Sequence, residues 1–362
     1  ISSAYAQLRQ MEYLDRGVVA VKTNNGIFLS WRILGTEKNA SFNVYKNGKL
    51  FQSVAANKAT NLIDPSGTIN DRYTVKAVTN GQEEQNSKEI TPWAEEFLTI
   101  QLNRPADGIT PPCITYNRAK RPPIAQEYPN GQLYTYIPGD CSTGDLDGDG
   151  EYEIIVKWCP SNQVDNSFSG ITGPVYLDAY KLNGKQLWRI NLGKNIRAGS
   201  HYTQFMVYDF NGDGLAEMIC KTAPGSIDGK GKKIALDKDD PDKDWRYLEM
   251  NQKTCGYILE GPEYLTIFKG KTGEELHTIP YSTERGEVNS WGDNYGNRVD
   301  RYLACVAYLD GVHPSVIMCR GYYAKTTLTA YDFKNGKLVK RWEHISDIKG
   351  KGAYGQGNHN LS

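Results

Sequence analysis

The stretch from Asp145 to Glu153 reads Asp-Leu-Asp-Gly-Asp-Gly-Glu-Tyr-Glu. Carboxylates at Asp145, Asp147 and Asp149 alternate along it, Gly148 and Gly150 let the backbone turn back on itself, and Glu153 closes the set. Hard oxygen ligands in this order, with a backbone carbonyl between the third and the last, are what Ca2+ coordination requires. An EF-hand loop wants a bidentate Glu at its twelfth position and a helix beyond. Here that position is Val156, inside the strand-like run Ile154-Ile155-Val156. The pattern therefore predicts a calcium loop flanked by strands. A metal-free Asp/Gly turn is the plainer alternative.

The same grammar returns. Asp209-Phe-Asn-Gly-Asp-Gly-Leu-Ala-Glu217 places Asp209, Asn211, Asp213 and Glu217 in equivalent positions, and the strand-like Met218-Ile219-Cys220 follows. A third, worn copy at Tyr308-Leu-Asp310-Gly311, followed by Ser315–Met318, has lost its ligands. Each copy is followed by a strand with a Gly turn and an apolar continuation, at Val175–Trp188, Tyr264–Leu276 and Leu328–Val339. Several calcium ions and a repeated all-β unit are expected. The intact loops start at Asp145 and Asp209, a longer interval than the roughly 40–50 residues of common propeller repeats. Blades of a β-propeller carrying inserted loops would fit, and the charge run Asp237–Asp244 reads as one such solvated insertion.

Before these repeats, residues 8–102 read as a small β-sandwich. Its candidate strands are Val18–Lys22, Ile27–Ile33, Ser41–Lys46, Lys49–Val54 and Arg72–Val78, punctuated by the turns Asn24-Asn25-Gly26, Asn47-Gly48 and Asn80-Gly81. Trp31 and Tyr73 resemble the core Trp and corner Tyr of fibronectin type III folds. Residues 103–138 are proline-punctuated, carry Arg104, Arg118, Lys120 and Arg121, and read as a linker or long loop. Residues 139–362 hold the repeats. Gln356-Gly-Asn-His359 resembles Ala198-Gly-Ser-His201, which stands just before the second acidic loop, so a further strand and loop are expected after it. Three blades and a start fall short of the four to eight that close a propeller, and the expectation is of an incomplete chain. An open array would leave exposed edges.

Lys+Arg and Asp+Glu number 42 each, so the net charge is zero and gives no support for nucleic acid as a partner. No apolar run approaches a membrane span. Seven cysteines without a CxxC pair argue against zinc or redox chemistry; Cys220, Cys305 and Cys319 alternate with apolar residues as small core side chains do. The chain opens on Ile1, and residues 1–6 could be what remains after signal cleavage. Nothing here sets an oligomeric state.

Long motifs now converge on a family. Arg9-Gln-Met-Glu, Arg16-Gly-Val-Val-Ala-Val-Lys, Gly144–Glu153, Lys194–Phe210, Gly261–Phe268, Trp291–Arg301 and Gly355–Ser362 together resemble the rhamnogalacturonan lyases of polysaccharide lyase family eleven over nearly the whole chain. The resemblance implies a fibronectin-like domain followed by an eight-bladed, calcium-binding propeller that runs well beyond position 362. It implies a secreted, periplasmic or cell-surface enzyme whose partner is rhamnogalacturonan I, the rhamnose–galacturonate backbone of pectin. Cleavage would be a β-elimination in which a base takes the proton at C5 of galacturonate, with Ca2+ on the adjacent carboxylate stabilising the developing charge. The family's cationic candidates for that base align beyond Ser362, and no catalytic base is named here.

Asp140 and His359 fall where the family carries cleft residues, near a calcium and the sugar; a turn Asp and a strand-bound His are the structural alternatives. Two departures stand out. Gly139-Asp140 replaces the family's Asn-Asp, and Lys157-Trp158-Cys159-Pro160 replaces Lys-Trp-Asp-Pro, where the Asn and Asp contact rhamnose. Neither Gly139 nor Cys159 restores those hydrogen bonds. The subsites have changed, or activity is lost. Three readings follow: a calcium-dependent rhamnogalacturonan lyase, a catalytically degenerate or non-catalytic pectin-binding homologue, and an integrin-like calcium propeller that binds protein. New double bonds, sugar binding without them, and a protein partner without sugar affinity would distinguish the three.

Overall fold

The computed structural model describes residues 9–35, 37, 39–84, 87–346 and 361. Seven strands come first: β1 (Val19–Thr23), β2 (Gly26–Ser30), β3 (Ser41–Lys46), β4 (Lys49–Val54), β5 (Asn61–Asp64), β6 (Tyr73–Thr79) and β7 (Gln82–Glu83). They form two antiparallel sheets, β1-β2-β5 and β4-β3-β6-β7. Asn47 and Asn80 adopt φ of 50° and 52° and are followed by Gly48 and Gly81 at 75° and 80°. Two successive left-handed residues are what a two-residue hairpin needs, so these turns fix the β3–β4 and β6–β7 registers.

Inward residues of both sheets share one core: Ile27, Leu29 and Leu62 from one, Phe42, Val44, Tyr73, Val75 and Ala77 from the other, with Trp31 between. Trp31 lies just past β2 rather than inside it. Tyr73 opens β6 as a corner residue, but its hydroxyl donates to the Asp64 side chain at 2.7 Å. Strand β5, which carries Asp64, was not among the expected strands because its run of four residues is short.

Residues 103–138, expected as a linker or long loop, carry two short antiparallel ribbons. They are formed by β8 (Gly108–Ile109) with β11 (Leu133–Tyr134), and by β9 (Cys113–Asn117) with β10 (Ile124–Tyr128). The following strand already begins at Tyr136. Prolines punctuate these ribbons rather than preventing them, because neither ribbon has a central strand whose ladder a missing N–H would break.

Three four-stranded antiparallel meanders follow in strict chain order. The first is β12 (Tyr136–Gly144), β13 (Glu153–Pro160), β14 (Tyr176–Tyr180) and β15 (Gln186–Asn191). The second is β16 (Phe205–Tyr208), β17 (Glu217–Thr222), β18 (Tyr264–Phe268) and β19 (Glu275–Pro280). The third is β20 (Tyr302–Ala307), β21 (Ser315–Arg320), β22 (Thr327–Lys334) and β23 (Lys337–Ile345). One core joins the first two through Leu177, Trp188, Val207, Met218 and Phe268; another joins the last two through Ile219, Ile267, Val316 and Tyr331. Every residue of β17 and of β21 is buried, as a strand covered on both faces must be.

Successive strands reverse direction, so like connections share an end. The stretches joining the first and second strands, at 145–152, 209–216 and 308–314, lie at one end; those joining the second and third lie at the other. Among the described residues the one helix is a 3-10 turn at Val288–Trp291, and no helix is long and apolar enough to cross a membrane. The described cysteines are all free, with Cys113, Cys159, Cys220, Cys255 and Cys319 buried, Cys305 half-buried and Cys141 exposed.

Candidate functional site

Between β12 and β13 the first acidic stretch closes on itself. Asp145 accepts the N–H of Gly148 at 2.7 Å on one carboxylate oxygen and that of Gly150 at 2.9 Å on the other. Glu153 accepts the N–H of Leu146 at 2.8 Å, and Asp149 that of Glu151 at 2.9 Å. Gly148 and Gly150 stand at φ of 86° and 84°, which lets the turn bring alternate carboxylates inward. Oxygens of Asp145, Asp147 and Asp149 come within 4.8 Å of one another.

The second stretch repeats each of these bonds. Asp209 accepts from Gly212 at 2.7 Å and Gly214 at 3.0 Å, Glu217 from Phe210 at 2.9 Å, and Asp213 from Leu215 at 2.9 Å.

The two differ in what balances their charge. In the first, the Lys181 ammonium lies 2.6 Å from Asp147, 2.9 Å from Asp149 and 3.7 Å from Glu153. In the second, the Asn211 amide donates to Glu217 at 2.6 Å and Asp213 at 3.1 Å. Burial, reinforced by the charges of Asp147 and Asp149, pushes the Glu153 carboxyl up to about 7. Burial with Asp213 and Asp209 pushes Glu217 up to about 8. Asp147 Oδ1 is buried with no hydrogen-bond partner among the described residues. Buried acceptors are ordinarily satisfied, and one aimed at a carboxylate cluster fits a hard cation. Asp145, Asp147, Asp149 and Glu153 would hold one cation, and Asp209, Asn211, Asp213 and Glu217 another.

The third stretch has solved the same problem with protein charges. Asp310 accepts from Val312 N, His313 N and the His313 ring at 2.9, 2.8 and 2.9 Å, and Arg341 lies 3.7 Å away. Those backbone bonds and the His313 ring hold its carboxyl well below the usual carboxylate range. Ser315 opens β21 where Glu153 and Glu217 open their strands.

Asp140, Gly139 and Cys159 are brought together at the other half of β12 and β13. The pairing slips between Pro138 and Cys141, and this irregularity carries Gly139 and Asp140. Asp140 is exposed and takes a close salt bridge from Lys157, whose own side chain is buried. A Cβ on Gly139 would stand 2.7 Å from the Cys159 sulfur and 3.2 Å from the Lys157 carbonyl, so the thiol fills the space a side chain would need. Burial pushes that thiol up. His359 lies outside the described residues. Its repeat partner His201 accepts from Arg301 at 3.0 Å through Nε2, because a guanidinium can only donate. Burial and Arg301 pull the imidazole pKa down, and its lone pair is already engaged.

Two polar networks at this end escaped the sequence reading. Asp178 is buried beneath Trp158 and receives its indole N–H at 2.8 Å, the Tyr180 hydroxyl at 2.6 Å and a two-pronged Arg189 at 2.7 Å. Buried Glu263 receives Lys221 at 3.0 Å, Arg285 at 2.8 Å and Arg320 at 2.7 Å, joining the second and third meanders. Burial opposes ionisation there, but the three cations outweigh it and hold the carboxyl well below its usual range. An isolated Lys or Arg inside an apolar strand, as at Lys221 and Arg320, was the available signal.

Residues 99–362 match the family model for the C-terminal domain of rhamnogalacturonan lyase family 11, and residues 9–93 that for the beta-sheet domain of rhamnogalacturonan I lyases. The chain belongs to rhamnogalacturonan lyase family 11. It is 54% identical over 357 residues to the rhamnogalacturonan endolyase YesW of Bacillus subtilis (strain 168), covering 98% of this chain and 53% of that protein. It is 51% identical over 356 residues to the exolyase YesX of the same organism, covering 98% and 54%. The crystal structure of exotype YesX superimposes with a TM-score of 0.85 at 50% identity, over 97% of this chain and 54% of that one. The Bacillus licheniformis rhamnogalacturonan lyase PL11 gives 0.83 at 53%, over 97% and 55%. The chain thus spans about half the length of the family 11 relatives it matches.

Proposed function

We propose that this chain acts as a calcium-dependent rhamnogalacturonan lyase that cleaves the rhamnose–galacturonate backbone of pectin by β-elimination. The observation that carries the reading is the alignment of 98% of the chain with two named rhamnogalacturonan lyases at 51% and 54% identity. The two-sheet unit would be its fibronectin type III-like sandwich, and the three meanders the first blades of its propeller. We place the enzyme outside the cytoplasm, where pectin fragments are met.

In such an elimination a base removes the C5 proton of galacturonate, a C4–C5 double bond forms, and the bond to the leaving sugar oxygen at C4 breaks. A cation on the substrate carboxylate would supply charge stabilisation for the proton loss. On this reading the acidic loops act at a distance from the cleft residue Asp140. Asp140 lies five residues up β12 from Asp145, roughly 16 Å at about 3.3 Å per residue. Cations held by the loops would fix the ends of β12, β13, β16 and β17, and so the strands that carry Asp140, Lys157 and Cys159. Asp140, with Lys157 drawn against it, offers a charged edge for the sugar hydroxyls.

A second reading, a pectin-binding homologue without cleavage, is favoured by one observation. The Cys159 thiol packs where a Gly139 side chain would project, leaving two positions with no strong hydrogen-bonding group. Mass spectrometry of rhamnogalacturonan I after incubation separates the two. Unsaturated oligosaccharides support the lyase; unchanged polymer that is nonetheless retained by the protein supports the binder.

A further inference from the structure

Residues 10–16 belong to no strand, yet they touch all three loops. The Gln10 N–H donates to Val312 O at 2.8 Å, and the Tyr308 hydroxyl donates to Gln10 O. The Gln10 side-chain amide donates to Asp209 O at 3.2 Å. Glu12, which is 8% exposed, accepts the Asp145 N–H at 3.4 Å. The Asp15 N–H donates to Gly150 O at 2.8 Å. The far end is tied to the sandwich: Asp15 accepts the Lys88 N–H at 3.1 Å, Arg16 pairs with buried Glu37, and Arg16 O accepts the Arg32 N–H at 3.0 Å.

We propose that the segment Gln10–Asp15 is a positioning strap for the two acidic loops, so that cation binding by the loops and docking of the strap strengthen each other. This rests on the calcium reading of the loops. The strap bonds to the loop backbone itself, at Asp145 N, Gly150 O and Asp209 O, rather than to the strands beneath. It also covers the loop glycines. A Cβ on Gly212 would stand 2.7 Å from the Gln10 side-chain oxygen, and one on Gly214 would collide with the Tyr13 ring. These glycines thus serve twice, for their positive φ of 83° and 88° and for close approach of the strap. The third loop, without an acidic ligand set, still supplies Val312 O and Tyr308 as an anchor. A contact that fixes ligand geometry from outside the ligand set typically changes metal affinity by roughly 10- to 100-fold. Coupling of this kind is reciprocal, so removing the cation must loosen the strap.

The test uses the full chain stripped with a chelator and titrated with Ca2+ by calorimetry, alongside Gln10→Ala and Tyr13→Ala. The second loop of each variant should bind about 10-fold more weakly. Hydrogen exchange on the unmutated protein supplies a readout independent of variant folding: the Gln10 and Asp15 amides should exchange faster in chelator than in calcium. If the unmutated chain binds no calcium, the loop reading falls and the strap with it. If it binds calcium, yet both variants bind equally well and the strap amides exchange at one rate in both conditions, the loops stand and the strap proposal is overturned.

Discussion

Asp209 accepts the N–H groups of the glycines three and five residues ahead at 2.7 and 3.0 Å, as Asp145 does at 2.7 and 2.9 Å. Two stretches that share a residue pattern therefore share a bonded shape. Asp147→Ala and Asp213→Ala should each remove one calcium from the stoichiometry measured by calorimetry. Each should also lower the melting temperature in saturating calcium, since a ligand at a hundred times its dissociation constant adds about 2.7 kcal/mol to the folded state. Unchanged stoichiometry and melting in both variants would contradict the loop reading.

Lys181 stands where a cation would compete with it. In Lys181→Met the calcium-free protein should melt lower, because Asp147, Asp149 and Glu153 lose their nearest positive charge. The first loop should then bind calcium several-fold more tightly, having no ammonium to displace. Parallel melting curves and calorimetry check both signs.

Without calcium, stability should also depend on pH through Glu153 and Glu217, whose folded pKa values are raised to about 7 and about 8. A carboxyl raised on folding binds its proton more tightly in the native state. Its contribution is full below the unfolded pKa of about 4.3 and is lost as pH rises through the folded value. In chelator, the urea midpoint should therefore fall from about pH 4 to about pH 8 and level off above that, and saturating calcium should remove most of that fall.

Glu263 is the acid that Lys221, Arg285 and Arg320 share, with buried Asp300 a further 3.6 Å from Arg320, and Glu263→Gln leaves the three cations without their common partner. Breaking a buried pair from one side typically costs about 3–5 kcal/mol, and the urea midpoint should drop accordingly. A change below about 1 kcal/mol would mean that water reaches these cations.

Gly139 and Cys159 form one packing unit, so a side chain at the first position is constrained by the sulfur at the second. Gly139→Ala should cost about 1–3 kcal/mol by overpacking against the sulfur. Much of that cost should vanish in the Cys159→Ala background, giving a coupling energy of about 0.5–3 kcal/mol in a double-mutant cycle. Additive costs would show that the two positions are independent.

Much of this architecture was legible because it is written in local chemistry. Asn-Gly turns set the β3–β4 and β6–β7 hairpins of the sandwich, and the alternating carboxylates with their glycines set the loops. The pairing of Tyr73 with Asp64, the hold of three cations on Glu263 and the reach of Lys181 over the first loop were not legible. Each joins residues whose side chains carry no sign of their partner. The ribbons within residues 103–138 were missed because proline marks a break in a strand without telling how short the strands on either side are. The contact between Gly139 and Cys159 depends on a slip in register, which periodicity cannot reveal.

The measurement that bears most directly on the central claim is the ultraviolet absorbance of rhamnogalacturonan I during incubation with the full chain, in calcium, in chelator, and after calcium is restored. We expect absorbance from unsaturated galacturonate to grow in calcium, stop in chelator and resume on restoration. Absorbance that stays flat in calcium, with the polymer intact, would contradict the assignment of lyase activity to this chain.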